Sequence, residues 1–215
     1  MIWSFIASIV SVIFFRFVPP PFTPLMLIRC VEQKLHGKEV RMTKDWESLD
    51  HISKNYVMAV IASEDQNFYN HYGFDFNAIQ KAFKNNSKKK VKIKGASTIS
   101  QQTAKNLFLW PGRSWVRKGL EVYFTFLLEV FWSKKRIMEV YLNIAEMGDG
   151  IYGVEAASKF YFSKTALQVP APQAALVAAT LPNPRKWKPN HPTGYIYARQ
   201  SWILRNMKRL AYPNF

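Results

Sequence analysis

KKRIMEVYLNIAEMGDGIYGVEAASKFYF, residues 134–162, decides the fold. In its first half Ile137, Val140, Tyr141 and Ile144 recur at the spacing that gathers side chains on one face of a helix. Ser133 stands just before the run, where a helix cap belongs. The same period appears upstream in Leu49, Ile52, Tyr56 and Val60, and again in Phe76, Ile79 and Phe83. No long alternating pattern of the strand type competes with these runs. Thr193 precedes a further periodic stretch, and Pro170, Pro172 and Pro182 to Pro184 punctuate the C-terminal part. The expected fold is mainly α.

The chain has 215 residues, 48% of them apolar and 15% aromatic, enough for one domain with a buried core and an appendage. Lys and Arg number 30 against 14 Asp and Glu, a net charge of +16. Such an excess points to a polyanionic partner: nucleic acid, phospholipid headgroups or a phosphorylated substrate. A single cysteine, Cys30, excludes an intramolecular disulfide framework and a Cys-rich zinc site. The histidines at 36, 51, 71 and 191 have no metal-ligand spacing, so no protein-ligated metal is expected. KNNSKKKVKIKG, residues 84–95, reads as a mobile basic loop or a solvated linker.

Residues 1–18, MIWSFIASIVSVIFFRFV, are uncharged and mainly apolar up to Arg16. They are expected to form a transmembrane anchor, although the run is short of the roughly 20 residues that a spanning helix needs. The alternative is a helix buried in the core. A cleaved signal peptide fits less well, for want of a basic leading region and a small-residue cleavage site before PPPF. Arg16, Arg29, Lys34 and Lys38 all follow the segment, where the positive-inside rule would put the cytoplasmic side. The expected division is an anchor over 1–18, a juxtamembrane linker over 19–45 and one catalytic domain over 46–215.

Three clusters carry chemistry. In SEDQNFYNHYGFDF, residues 63–76, Glu64 and Asp65 close an apolar-periodic helix. Carboxylates are disfavoured there because the helix C-terminus already carries partial negative charge, so the two are either a surface acidic pair or a site that suits a proton acceptor. In KGASTISQQTAKNLFLWPGR, residues 94–113, Thr98 and Gln101 make a capping box that starts a helix. Thr98, Gln101, Gln102 and Lys105 then share one face, a hydrogen-bonding surface for sugar and phosphate or simply a solvated side. In RSWVRKGLE, residues 113–121, Arg117 and Glu121 could form an ordinary i, i+4 pair in its weaker orientation. With Arg113 and Lys118 they also bring three cations close to a carboxylate, as a leaving pyrophosphate would require.

EDQNFYNHYGFD, GASTISQQTAKN, RKGLE and the 134–162 string together resemble the successive motifs of the peptidoglycan glycosyltransferase family, in its order and approximate spacing. The short chain and the PPPFTPLM segment are similar to the monofunctional biosynthetic members of Gram-negative bacteria. The resemblance implies a lysozyme-like helical lobe with a smaller membrane-associated jaw, working on lipid II at the periplasmic face of the cell inner membrane. The acceptor's 4-hydroxyl would attack the donor's anomeric carbon with inversion, and undecaprenyl pyrophosphate would leave. Glu64 matches the catalytic base and Glu121 the second carboxylate. Asp65, Phe68 and His71 belong to the first motif. Ser97, Thr98, Gln101, Gln102, Lys105 and Asn106 match the donor-side helix, and Arg113, Arg117 and Lys118 the basic residues near the diphosphate. Leu120 departs from members that carry lysine beside that glutamate.

Mg²⁺ or another divalent cation could assist at the pyrophosphate, though no motif demands it. The implied partners are lipid II, the growing strand, membrane lipids and other cell-wall synthases, with moenomycin as inhibitor. Phe108, Leu109 and Trp110 are the candidates for entering the membrane at the jaw, or else ordinary core residues. No K-T-G or S-D-N motif occurs, so acylation by penicillin is not expected. Two rivals stand beside this reading. A lysozyme-like hydrolase would share fold and glutamate, with less need of the cations. A nucleic-acid-binding protein would explain the charge, yet no helix-turn-helix, zinc-finger or RNA-binding signature appears, so no nucleic-acid partner is expected.

Overall fold

The computed structural model describes residues 2–77, 79–80, 97–112 and 114–213, so the basic stretch 84–95 lies outside the described residues. The described chain is mainly helical with one small sheet. Its helices are α1 (Ile2–Phe17), α2 (Pro24–Leu35), α3 (Lys54–Glu64), α4 (Ile99–Phe108), α5 (Trp115–Phe131), α6 (Lys134–Ile144), α7 (Val154–Phe162), α8 (Ala171–Thr180) and α9 (Gly194–Met207).

Helix α3 lies at the centre, with every residue from Tyr56 to Ala62 buried. A helix apolar on all sides can only be stable inside a core. α8 and α9 pack on it, and α8 places Ala174, Ala175, Ala178 and Ala179 in the interior. α4 packs against α5 and α6, and the N–H of its first residue, Ile99, donates to Asp65 just past the end of α3.

The caps read from sequence are present. Ser133 accepts from Arg136 N and Thr193 from Ile196 N, while Thr98 and Gln101 form the reciprocal box at the start of α4. One periodic run is divided. Leu49–His51 is a single 3-10 turn, Ile52 is extended, and Ser53 starts α3 afresh by accepting from Asn55 N. The apolar period survives because Leu49, Ile52, Tyr56 and Val60 all enter the core.

The sheet holds β1 (Thr43–Lys44), β2 (Glu146–Gly148) and β3 (Ile151–Tyr152) in the order β1-β3-β2. β1 runs parallel to β3 with Thr43 opposite Ile151, and β2 runs antiparallel to it with Glu146 opposite Tyr152. Strands of two or three residues leave no alternation to read. Gly153 follows β3 with φ +81°, where a Cβ would sit 2.7 Å from the carbonyl oxygen of Asn143. Its N–H donates to Ala145 O at 2.9 Å, tying the loop back to the end of α6.

Residues 24–44 join the body. Met26 is fully buried, Gln33 Nε2 donates to Asp149 Oδ1 at 3.3 Å, and Arg41 N donates to Gln33 Oε1 at 2.8 Å.

The N-terminal segment is helical, but no helix among the described residues is long and apolar enough to cross a membrane. The 16 residues of α1 extend roughly 24 Å, against about 30 Å of bilayer hydrocarbon. One face of α1 docks on the body. Val12 is fully buried, Trp132 Nε1 donates to Val12 O at 2.8 Å, and Ser8 and Tyr123 share a hydrogen bond of 2.8 Å. Arg136 donates to Phe15 O at 2.9 Å and to Val18 O at 3.1 Å, occupying carbonyls that a helix end leaves open. The other face exposes Ile6, Val10 and Phe14, and α5, on which α1 packs, exposes Val122, Phe126 and Val130.

Of the two readings of residues 108–110, the core reading holds for Phe108 and Leu109. Leu109 is buried and Phe108 stacks on Phe124 with ring centroids 4.5 Å apart, leaving only Trp110 substantially exposed. The aromatic stack consumes the surface that a membrane contact would use.

Candidate active site

Glu64 is the last residue of α3, and both its oxygens are held. Oε1 accepts from Ser63 Oγ at 3.0 Å and Oε2 from Gln102 Nε2 at 2.9 Å. Gln102 Oε1 in turn accepts from the Tyr141 hydroxyl at 3.2 Å. Burial, followed by the charges of Glu64 and Asp65, pushes the Tyr141 phenol well above its usual range, so it keeps its proton and donates. On the other side Arg199 donates to Ser63 O at 3.0 Å. Glu64 is thus fixed in direction by α4, α6 and α9 together.

Asp65 does different work. It is buried, its Oδ2 accepts from the backbone N–H of Ile99 at 3.0 Å, and His71 Nε2 lies 3.0 Å from both its oxygens. A carboxylate at the first N–H groups of a helix is favoured by the helix field. Asp65 therefore clamps the start of α4 against the end of α3. His71 is half-buried, its buried Nδ1 without a partner among the described residues, and Phe68 beside it is fully buried, so in this conformation Phe68 offers a ligand no surface.

The polar stripe on α4 divides into two parts. Thr98 and Gln101 are buried and occupied by the capping box, with Thr98 Oγ1 also donating to Gly73 O at 2.6 Å. Ser97, Gln102, Lys105 and Asn106 instead line a cleft of about 730 Å³ together with Arg117, Lys118 and Glu121. A cleft of that size suits a sizeable organic ligand. Arg113, the remaining cation expected near a diphosphate, lies outside the described residues.

Glu121 is 3% exposed and carries two ion pairs, one with Arg117 Nη1 at 2.7 Å and one with Lys118 Nζ. The i, i+4 pairing is therefore formed, and it is a buried pair rather than the weak surface pair that spacing alone suggests. Two cations on one carboxylate leave a net positive site facing the cleft. Lys105 joins them with no hydrogen bond or ion pair among the described residues. Burial holds its ammonium below the usual 10.5; Glu121 opposes this, Arg117 and Lys118 reinforce it, and Glu64 opposes it again. An anion in the cleft would supply the partner that Lys105 lacks.

Sequence reasoning missed three cleft residues. Tyr141 was legible only as core, because its hydroxyl partner lies on another helix. Arg29 and Glu146 line the cleft from α2 and β2, 3.4 Å apart, and burial is the first cause raising the Glu146 carboxyl above its usual value. Nothing in local spacing links positions so far apart in the chain.

A family model described as Transglycosylase matches residues 32–208, and the chain belongs to that family. It is 56% identical over 207 residues to a biosynthetic peptidoglycan transglycosylase of Bacteroides thetaiotaomicron, covering 96% of this chain and 83% of that relative. Relatives of the same description from Pseudomonas putida and Escherichia coli are 49% identical over 215 residues and 54% identical over 202. These alignments cover 100% and 94% of this chain, and 91% and 84% of the relatives. The chain is a peptidoglycan glycosyltransferase, an enzyme that polymerises glycan strands.

Proposed function

We propose that the cleft joins lipid II to a growing strand, with Glu64 as general base and Lys105, Arg117 and Lys118 receiving the diphosphate. The observation that carries this reading is the pairing of one oriented carboxylate with one cationic cleft, bridged by Gln102. The acceptor's 4-hydroxyl oxygen forms a bond to the donor's anomeric carbon as the carbon–oxygen bond to the diphosphate breaks. The hydroxyl proton passes to Glu64 and the bonding electrons leave with the diphosphate, inverting the anomeric centre. A diphosphate leaves already charged, so it needs cations more than a proton donor. Glu121 holds two of those cations in place rather than contacting the sugar. Ser97 and Asn106 are the remaining polar groups available for sugar or phosphate.

The residues present do not fit a protein-ligated divalent cation. No group of three or more His, Cys, Asp or Glu among the described residues could hold one, and both oxygens of Glu121 are already paired. Mg²⁺ would have to ride on the diphosphate and water, and no step is assigned to it.

The helices around α3 would form the lysozyme-like lobe over 46–215. The exposed apolar faces of α1 and α5 would seat the protein at the periplasmic surface of the inner membrane, where lipid II is presented. Lipid II turnover to polymer, abolished by moenomycin, tests the reading. Release of sugars from finished strands without lipid II consumption would favour a hydrolase instead.

A further inference from the structure

Ser63 has a task beyond steadying Glu64. Its hydroxyl carries one proton and stands within reach of two acceptors, Glu64 Oε1 at 3.0 Å and Ala178 O of α8 at 3.3 Å. The hydroxyl oxygen is approached in turn by Arg199 of α9, whose Nη2 lies 3.4 Å from it and 3.0 Å from Ser63 O. Arg199 is itself seated over the Trp202 ring, its guanidinium carbon 4.3 Å from the centroid. A guanidinium can only donate and a carbonyl can only accept, so the hydroxyl has one freedom left, the direction of its proton.

The two partners of Glu64 differ in the same respect. Gln102 meets Oε2 through its amide nitrogen, which only donates, and Tyr141 engages the amide oxygen. Ser63 can donate to Oε1 or accept from it. While Glu64 is ionised the carboxylate draws the hydroxyl proton, because a charged acceptor makes the stronger bond. Once Oε1 carries a proton, the same 3.0 Å contact works in reverse and the hydroxyl turns to Ala178 O. Lys105 on α4 and neutral Tyr141 on α6 also sense the Glu64 charge, and Asp65 adjoins it in the chain. None of these three side chains is hydrogen-bonded to Glu64 among the described residues.

We infer that Ser63 is a positioning residue that reverses its hydrogen bond with Glu64 in each catalytic cycle, while Arg199 holds its oxygen in place. The inference rests on the reading of Glu64 as the base. The acceptor's O–H bond breaks and an O–H bond forms at Oε1. Ser63 keeps its own proton throughout, and Glu64 returns the proton it took to water before the next cycle. Both charge states of Glu64 thus find a partner by the turn of one hydroxyl, with no movement of the backbone.

The test is lipid II polymerisation by the full chain across pH, with thermal unfolding measured beside it. Ser63→Ala should lower kcat about tenfold at unchanged KM and move the acidic limb of the profile upward by about one pH unit, since the ionised base loses a donor. Ser63→Thr, which keeps the hydroxyl, should restore both. Arg199→Met should lower kcat roughly fivefold and leave KM in place. Ser63→Ala should cost nothing further in a chain that already carries Glu64→Gln, because its effect passes through that carboxylate. An acidic limb that stays in place, or an equal loss in both backgrounds, would overturn the role of Ser63 and leave Glu64 standing as the base. Near-normal turnover in Glu64→Gln would overturn the base reading itself, and the reversal with it.

Discussion

Gln102 presents Glu64 in a fixed direction, its amide nitrogen 2.9 Å from the carboxylate and its amide oxygen held by Tyr141 at 3.2 Å. An amide cannot exchange its donor and acceptor ends without turning over, so the Tyr141 proton sets which end meets Glu64. Glu64→Gln keeps size and polarity but loses proton acceptance, and lipid II polymerisation should fall by roughly 10² to 10⁴ while the substrate still binds. Tyr141→Phe removes one hydrogen bond of about 1 kcal/mol and should slow turnover roughly fivefold. Near-normal turnover in Glu64→Gln would remove it as the base.

Lys105 gives a pH test in which activity and stability move in opposite directions. Its ammonium titrates below 10.5 in the folded chain, chiefly through burial. Between the depressed and ordinary values the unfolded chain binds a proton that the folded chain has released, so stability rises with pH across that window. Polymerisation that needs the cation falls across the same window. Lys105→Arg, which stays charged, should move the basic limb of the rate profile upward. An unmoved limb would separate Lys105 from the leaving group.

Glu121 should fail as a holder of cations. Glu121→Ala leaves Arg117 buried and unpaired, at a cost of about 3 kcal/mol in denaturant titration. Glu121→Gln, which retains shape, should lower turnover by a factor that does not change across a Mg²⁺ titration. A defect that recedes as Mg²⁺ rises would instead make Glu121 a metal-linked group.

Gly153→Ala should destabilise the fold by roughly 1–3 kcal/mol, because the new Cβ meets the Asn143 carbonyl in a left-handed conformation. Thermal unfolding would report it, with Gly119→Ala, where an added Cβ meets no side chain and no other element within 4 Å, as the comparison.

Replacing Ile6, Val10 and Phe14 by serine removes exposed apolar surface without touching buried Val12. Retention on liposomes should fall clearly, whereas replacement of Phe108 and Leu109 should first unfold the chain. Equal retention by the triple serine variant and its parent would mean that this face does not enter lipid.

Much of this was legible in sequence wherever the governing interaction is local. Ser133, Thr193 and the Thr98–Gln101 box bond to groups within three residues, so their types and spacing were sufficient. Glu64 and Asp65 read as a helix-ending pair, and they are one. Their division into a residue facing Gln102 and a residue clamping Ile99 was not legible, because it depends on where α4 arrives in space. The same reason hid Arg29 and Glu146. The 108–110 triplet stayed open for another reason: hydrophobicity says that a side chain leaves water, but not whether it leaves for lipid or for a neighbouring ring such as Phe124.

Arg136 closes the end of α1 from within the body of the enzyme, and that contact has a bearing on scale. A helix joined only by a slack tether would let the cleft wander in height above the lipid surface. If α1 seats in the lipid surface as proposed, a helix whose last carbonyls are gripped by α6 would act as a stem, and its inclination there would become the inclination of the cleft. Every strand drawn from that cleft would then leave at one standing angle to the surface, a geometric bias written into the product before any other protein acts on it.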